Sequence, residues 1–198
     1  MDIRNYRFLA GLPTMAQNRK AGISGAPTVG HTLPANMAYH PRQDDSWKKL
    51  YRYWLAKHVG GRPPSRHDID PVLEIPQLVA NLMLVDITAD GYFYRLVGSM
   101  VVDRMGVEMT GRPFGTSGLE PIAIGELRMA LDLVVAELKP CQLIAKIHNQ
   151  PTAHSNVLIL PLVSKANQIE MILLGSFYND PFRPGTRILG LLSKKIHL

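Results

Sequence analysis

Three segments of this chain are apolar at nearly every position, over lengths that suit buried β-strands. They are residues 82–85, 157–163 and 169–174, the last interrupted only by Glu170. A strand covered on one face alternates apolar and polar residues, whereas a strand covered on both faces does not. The pattern therefore predicts a sheet whose centre is covered on both sides, which restricts the folds open to the chain.

The length and composition fit one domain with an additional segment. The chain has 198 residues, of which 46% are hydrophobic, so it can bury a sizeable core. Its single cysteine, Cys141, excludes a disulfide within the chain and fits a reducing compartment. No apolar run approaches the roughly 18 residues that indicate a membrane-spanning helix. We therefore expect a cytoplasmic protein without a membrane span.

The positive charge is concentrated in the first third of the chain. Residues 1–66 hold 11 Lys and Arg against 3 Asp and Glu, whereas residues 67–198 hold 11 against 13. Residues 1–43 are also rich in Gly and Pro and lack periodicity, which predicts a flexible basic N-terminal arm. Such an arm can contact nucleic acid or anionic lipid, or it can be an ordinary solvated tail.

An amphipathic helix is predicted after the arm, beginning near Ser46 and ending at the Gly60-Gly61 pair. Its apolar residues share one face, at helical spacing: Trp47, Leu50, Tyr51, Trp54, Leu55 and His58. The face could lie on a membrane surface, or it could cover a sheet in its own subunit or in a partner. Because the doubly apolar strands need a cover, we favour the sheet. The helix is also the candidate dimer interface, through Trp47, Leu50, Tyr51, Trp54 and Leu55.

The remaining elements indicate an antiparallel α+β domain. A hairpin is predicted over residues 81–97, with Asp90-Gly91 as its turn. Two helices follow, over residues 99–105 and 120–138, and the second should bury Leu127, Leu131, Val134 and Leu138 and expose an ion pair between Arg128 and Asp132. Three strands then follow, near residues 141–148, 155–164 and 168–178. Residues 181–198 are predicted to form a weakly amphipathic tail.

Four sequence motifs in this order resemble those of a PAS domain. They are Trp54 in the flanking helix, the Pro-Ser-Arg-His-Asp-Ile-Asp-Pro segment at 64–71, Tyr-Arg-Leu-Val-Gly at 94–98, and Gly-Val-Glu-Met-Thr-Gly-Arg at 106–112. The chain resembles in particular an alphaproteobacterial subfamily of single-PAS-domain proteins. The resemblance covers about residues 45–180, so we predict a PAS-like domain over residues 44–180.

The resemblance implies a five-stranded antiparallel sheet with strand order 2-1-5-4-3. Helices would cover one face, and the N-terminal amphipathic helix would cover the other. Strands 1, 5 and 4 would be central, and these are the three strands that are apolar on both faces. The resemblance also implies a non-enzymatic sensory or regulatory module with no shared catalytic residues. A homodimer is expected, a signalling protein is a possible partner, and the cofactor is unknown.

In PAS domains a ligand pocket lies between the inner sheet face and the helices. The candidates for lining it are Tyr94, Met100, Met105, Leu127, Met129 and Leu131, of which the methionines and leucines could equally be plain core. Arg95 and Arg112 are the candidate polar contacts, because a guanidinium can clamp a carboxylate or a phosphate. Either arginine could instead anchor Asp103 or Glu108 in a structural ion pair.

The sequence offers little support for catalysis, metal binding or a familiar cofactor. Cys141 follows Pro140 rather than lying in the helical motif of flavin-binding PAS relatives, and residues 120–138 contain no histidine for haem. His148 and His154 flank a predicted turn and could bind a metal, although histidines in solvent are the simpler interpretation. We therefore predict neither a catalytic residue nor a metal site.

Three functions remain open from the sequence. The first is a PAS module that binds a small molecule or docks a protein partner. The second is a ligand-free protein-interaction adaptor, in which the outer sheet face or the basic arm does the binding. The third, ranked last, is a nucleic-acid binder that acts through residues 1–43.

Overall fold

The structure is a computed structural model of the chain, and it describes residues 45–116, 119–148, 152–180 and 188–194. The helices are α1 (Ser46–Ala56), α2 (Pro71–Glu74), α3 (Ser99–Met105) and α4 (Pro121–Glu137), with 3₁₀ turns at Arg66–Asp68 and Pro76–Asn81. The strands are β1 (Leu82–Thr88), β2 (Gly91–Val97), β3 (Cys141–Ile147), β4 (His154–Val163), β5 (Ile169–Tyr178) and β6 (Ile188–Lys194). The predicted arm, residues 1–43, lies outside the described residues.

The strands form one antiparallel sheet in the order β2-β1-β5-β4-β3-β6. This order confirms the predicted PAS-like arrangement 2-1-5-4-3 and adds a sixth strand. The addition, β6, lies within residues 181–198, which were expected to be a tail. It pairs with β3 from Gln142 opposite Lys194 to Ile147 opposite Ile188. Without β6 the backbone groups along the outer side of β3 would lack strand partners, which explains why the segment is drawn into the sheet.

Both faces of the central strands are buried, as their apolar sequences predict. Every residue from Ser155 to Val163 in β4 and from Met171 to Tyr178 in β5 is buried. Alternate residues of these strands therefore contribute to two separate cores. The inner core lies between the sheet and helices α3 and α4, and includes Val157, Ile159, Ile172 and Leu174. The outer core lies between the sheet and α1, and includes Leu158, Leu160, Leu162 and Leu173.

Helix α1 covers the outer face of its own sheet. Leu50, Tyr51 and Trp54 are buried in the outer core, and the indole Nε1 of Trp54 donates to the backbone oxygen of Pro161 at 3.0 Å. Three of the five residues predicted as a dimer interface are thus core residues of one subunit. Only Trp47 and Leu55 leave appreciable side-chain surface, with Leu55 41% exposed. Helix α1 packs here because the outer face of the central strands is apolar and must be shielded from water.

Two details of helix α4 differ from the prediction. Leu138 is not part of the helix but caps its end with φ 55°, in the left-handed region, and it is only half-buried. Arg128 and Asp132 form no ion pair. Instead Asp132 accepts a hydrogen bond from the Tyr92 hydroxyl at 2.6 Å, and the Arg128 guanidinium lies over the Tyr92 ring. A neighbouring strand therefore replaces the local partner that the helical spacing suggests.

The 94–98 and 106–112 motifs meet at the free edge of β2. The Tyr94 amide donates to the Arg112 oxygen at 2.9 Å, and the Gly111 amide donates to the Tyr94 oxygen at 2.6 Å. The loop thereby satisfies backbone groups of an edge strand that would otherwise be open to another chain. Gly98 ends the hairpin where a Cβ atom would lie 2.4 Å from the oxygen of Ala80, so a larger residue does not fit.

No helix in the described part of the chain is long and apolar enough to cross a membrane.

Candidate functional site

A small apolar cavity lies in the inner core, enclosed by the sheet, by α3 and α4, and by β6. Three methionines contribute to its wall: Met83 from β1, Met105 from the end of α3, and Met109 from the loop that follows. Strand β6 contributes Ile188 and Leu191. The added strand is therefore part of the candidate site and not a peripheral extension.

The cavity is small in this conformation. Its volume is about 40 Å³, about three times the roughly 10–15 Å³ that a cavity needs to hold one water molecule. Typical ligand pockets measure about 300–1,000 Å³. A ligand larger than a few atoms therefore requires the wall to move. Methionine side chains are unbranched and adaptable, so Met83, Met105 and Met109 are the residues best suited to allow this.

Tyr94 lines this apolar cavity with a side chain that carries a hydroxyl. The residue is only 3% exposed, and its ring lies against that of Phe114. Burial raises the pKa of Tyr94, and the hydroxyl has no hydrogen-bond partner within the described part of the chain. The hydroxyl is therefore not committed to another described residue.

The end of β5 also contributes to the cavity wall, through Ser176 and Tyr178. The Ser176 hydroxyl lies 2.9 Å from the hydroxyl of Ser155, and its backbone oxygen accepts from the Asn81 amide nitrogen at 2.9 Å. Burial raises the pKa of Tyr178, and hydrogen bonding to Ser176 opposes the rise. The polar groups of Ser176 and Tyr178 thus already have hydrogen-bond partners.

A buried ion pair lies directly beyond Tyr178. The Arg104 guanidinium from α3 stacks on the Tyr178 ring at 4.3 Å and binds the Asp180 carboxylate through Nη1, at 3.0 and 3.2 Å. Its Nη2 donates to the Asp180 backbone oxygen at 3.0 Å. The pair was not predicted, because 76 residues separate the two positions and no local pattern joins them.

Three of the predicted lining residues do line the cavity, namely Tyr94, Met105 and Leu127. Leu131 is fully buried in the same core but does not reach the wall. Met100 is half-buried and lies away from the cavity. Met129 is 66% exposed and belongs to the outer face of α4. The helix is apolar on nearly all sides, so its sequence did not reveal which side faces the sheet.

The two predicted arginines lie away from the cavity. Arg95 alternates with Tyr94 along β2, which places it on the opposite face of the sheet, where its Nε binds Asp86 at 2.7 Å. Arg112 is exposed on the loop at 106–112. Its charge contributes to the lowered pKa of Glu108, but less than the hydrogen bonds from Thr110 do. The structure therefore gives both arginines structural neighbours and brings neither to the cavity.

A larger surface groove, of about 640 Å³, lies near the end of α1 but has the character of a solvated surface. Three of its charged side chains have partners in the subunit. Lys57 pairs with Glu74, Arg62 donates to the Lys165 backbone oxygen, and the Asp68 carboxylate accepts from the amide and hydroxyl of a neighbouring serine. Much of the charge at this groove is therefore already used within the subunit.

No group of three His, Cys, Asp or Glu side chains in the described residues could hold a metal ion. His154 is engaged by Asn179, whose amide nitrogen lies 2.9 Å from its Nδ1. Cys141 is half-buried at the start of β3.

The sequence profile of the PAS domain family matches residues 42–177, more than two thirds of the chain. No curated protein and no solved structure matches the chain. PAS domains are sensory and regulatory signalling modules and are typically non-enzymatic. The matched segment contains α1, strands β1 to β4, all of β5 except Tyr178, and the helices that surround the cavity. The chain belongs to the PAS domain family.

Proposed function

We propose that this PAS module senses a small, mostly apolar molecule that carries a hydrogen-bond acceptor, and that it binds this molecule in the inner-core cavity. The proposal rests on Tyr94, a buried residue of the apolar wall whose hydroxyl has no hydrogen-bond partner among the described residues. An acceptor group on a ligand would satisfy this hydroxyl. The remaining wall is almost entirely hydrophobic and would favour an apolar body.

The size of the cavity sets the kind of ligand. In the present conformation it accepts only a molecule of very few heavy atoms. A somewhat larger ligand would displace the methionine side chains of the wall and so couple binding to a change in the inner core. Such coupling is what a sensor needs, because a ligand shifts an equilibrium only through its different affinities for two states.

The output of binding would pass through the end of β5. Tyr178 lines the cavity on one side and contacts Arg104 on the other, and Arg104 holds Asp180, the last described residue before β6. Movement of Tyr178 would therefore act on the ion pair that fixes the chain where it leaves the sheet. A signalling protein or the second subunit of a homodimer would read this change.

The proposal includes a cytoplasmic location and membership of the alphaproteobacterial single-PAS-domain subfamily. The four motifs described above, in their observed order, support the second statement. Arg95 and Arg112 have no role in ligand contact in this proposal, since the structure gives them other neighbours.

Xenon under pressure tests whether the cavity accepts an apolar guest, because xenon is an apolar probe that enters empty protein cavities. Methyl-labelled methionines would report its position by NMR. We expect the methyl signals of Met83, Met105 and Met109 to shift. Those of Met129 on the surface and Met171 in the outer core are internal controls. Equal shifts at Met171, or none at the cavity methionines, would contradict the proposal.

A protein-interaction adaptor is the second candidate, favoured by the small size of the cavity and by the apolar surface of α4 described below. It predicts that the xenon experiment gives no shift, while the protein still associates through its surface. The third possibility, nucleic-acid binding by residues 1–43, predicts affinity that falls steeply with salt.

A further inference from the structure

Helix α4 exposes an apolar stripe that nothing in the described structure covers. Ile122, Met129 and Leu133 are 69%, 66% and 49% exposed, although they are large and hydrophobic. The small residues Gly125 and Ala136 are exposed on the same side of the helix. At 100° per residue these five positions fall on one side of the helix, opposite the residues buried in the inner core. A helix that is apolar on both sides is expected to be covered on both.

Gly125 leaves open space on this stripe. A glycine within a helix destabilises it by roughly 0.5–1 kcal/mol relative to alanine. Packing within the subunit does not require it, because a Cβ atom at this position would have no neighbour within 4 Å. A missing side chain on an exposed helix face instead leaves room for a large residue from another molecule.

We propose that α4 packs antiparallel against α4 of a second copy of the chain, around a two-fold axis at Met129. In this register Ile122 faces Ala136 of the second copy, Gly125 faces Leu133, and Met129 faces its own equivalent. Every large residue except the central one thus meets a small one, which is the complementarity that helix packing needs. A two-fold interface must be complementary to itself in this way.

The charges beside the stripe fit the same arrangement. Arg128 and Asp132 lie on one flank, both are exposed, and neither forms an ion pair in the described part of the subunit. A two-fold antiparallel pair places this flank next to the same flank of the second copy. Arg128 then lies beside Asp132 of the second copy, and the symmetry repeats the contact. A second copy is therefore complementary to this surface in both shape and charge.

The interface is confined largely to one helix of 17 residues. Stable complexes usually bury about 800 Å² on each partner, and a single helix pair provides less than that. The dimer is therefore expected to be reversible, with a dissociation constant in the micromolar range, which suits an association that a signal regulates.

Sedimentation velocity of the full-length chain, from about 1 to 200 μM, tests the proposal. Wild-type protein should pass from monomer to dimer over this range. Gly125→Leu should weaken the dimer at least tenfold by filling the space that Leu133 of the second copy occupies. Gly125→Ala is the matched control, and it should weaken the dimer much less while stabilising the monomer. A monomer at all concentrations, or equal dissociation constants for the two variants, would overturn the proposal.

Mixing two charge variants gives a second test that depends on the antiparallel geometry. Arg128→Glu alone places like charges together twice in the homodimer, and Asp132→Lys alone does the same. A mixture of the two variants places opposite charges at both contacts. We expect each variant alone to dimerise at least tenfold more weakly than wild type, and the mixture to form a heterodimer. Failure of the mixture to associate would mean that another occupant, such as residues 1–44 of the chain, covers the stripe, and would overturn the proposal.

Discussion

Arg104 and Asp180 form a buried ion pair that joins helix α3 to the end of the sheet. Their Nη1 and Oδ2 atoms lie 3.0 Å apart, and their side chains are only 3% and 4% exposed. The guanidinium also stacks on Tyr178, so the pair contacts a wall residue of the cavity. This relationship links the candidate ligand site to the point where the chain leaves β5.

Replacing one residue of the ion pair should lower the free energy of unfolding more than replacing both residues. Arg104→Met leaves the Asp180 carboxylate buried without its partner, and Asp180→Leu leaves the guanidinium in the same position, so each should lower the free energy of unfolding by about 3–5 kcal/mol. The double variant should lose less than the sum of the two. Chemical denaturation of all four proteins measures this, and additive losses would argue that the two residues are not coupled.

Trp54 should matter for folding and Leu55 should not. Trp54→Ala removes a ring that is 2% exposed, together with its hydrogen bond to Pro161, and should lower the free energy of unfolding by about 3–5 kcal/mol. Leu55→Ala is the matched control on the same helix, at a position 41% exposed, and should change it by less than about 1 kcal/mol. If α1 instead served mainly as a dimer interface, both changes would alter association rather than the stability of the monomer.

Tyr94→Phe should leave the free energy of unfolding at pH 7 unchanged or higher, because the hydroxyl that it removes has no hydrogen-bond partner among the described residues. Burial raises the pKa of Tyr94 above its ordinary value of 10.0. The folded protein therefore holds the Tyr94 proton more tightly than the unfolded chain does. Its contribution to the free energy of unfolding is complete below about pH 10 and is lost as the pH rises toward the folded-state pKa.

Urea denaturation from pH 7 to 11.5 would measure this effect. Above pH 10 the free energy of unfolding should fall more steeply in wild type than in Tyr94→Phe, by up to about 1.4 kcal/mol per pH unit. A loss of 1 kcal/mol or more in Tyr94→Phe at pH 7 would show that the hydroxyl has a partner in the folded protein, and would remove the main support for the ligand proposal.

Gly98→Ala should destabilise the fold, because the added methyl group would lie 2.4 Å from the Ala80 backbone oxygen. Backbone atoms cannot yield as a flexible side chain can, so the expected loss is about 2–3 kcal/mol. Gly125→Ala is the matched control, since open space surrounds that position, and it should raise the melting temperature. Equal effects of the two substitutions on thermal unfolding would contradict the packing described here.

The central strands could be predicted from the sequence because burial on both faces leaves a direct pattern, whereas their order followed from the resemblance to PAS domains. Residues 157–163 are apolar without interruption, and β4 is buried from Ser155 to Val163. Strand β6 escaped prediction because its apolar residues fit a helix as well as a strand. Only its pairing with β3 and its contacts with α4 determine its conformation, and neither is local in sequence.

The site was predicted less well because it depends on which way side chains point. Along α4 apolar residues occur on both sides, so Met129 and Leu127 looked equivalent, although one is exposed and the other lines the cavity. Arg95 was expected at the pocket, but the strand alternation that brings Tyr94 to the cavity directs Arg95 to the other face. Ser176 and the Arg104–Asp180 pair depend on contacts between distant segments, which no single sequence displays.

Native mass spectrometry of the protein purified from its own host shows whether the inner-core cavity carries a ligand. We expect an added non-covalent mass that disappears on denaturation. A matched variant, Val157→Ile, adds one methyl group to the cavity wall and should lose the added mass while it remains folded. A second variant, Tyr94→Phe, should bind more weakly. A clean protein mass in wild type, or an added mass that Val157→Ile retains in full, would contradict the claim that this PAS module carries a ligand in the inner-core cavity.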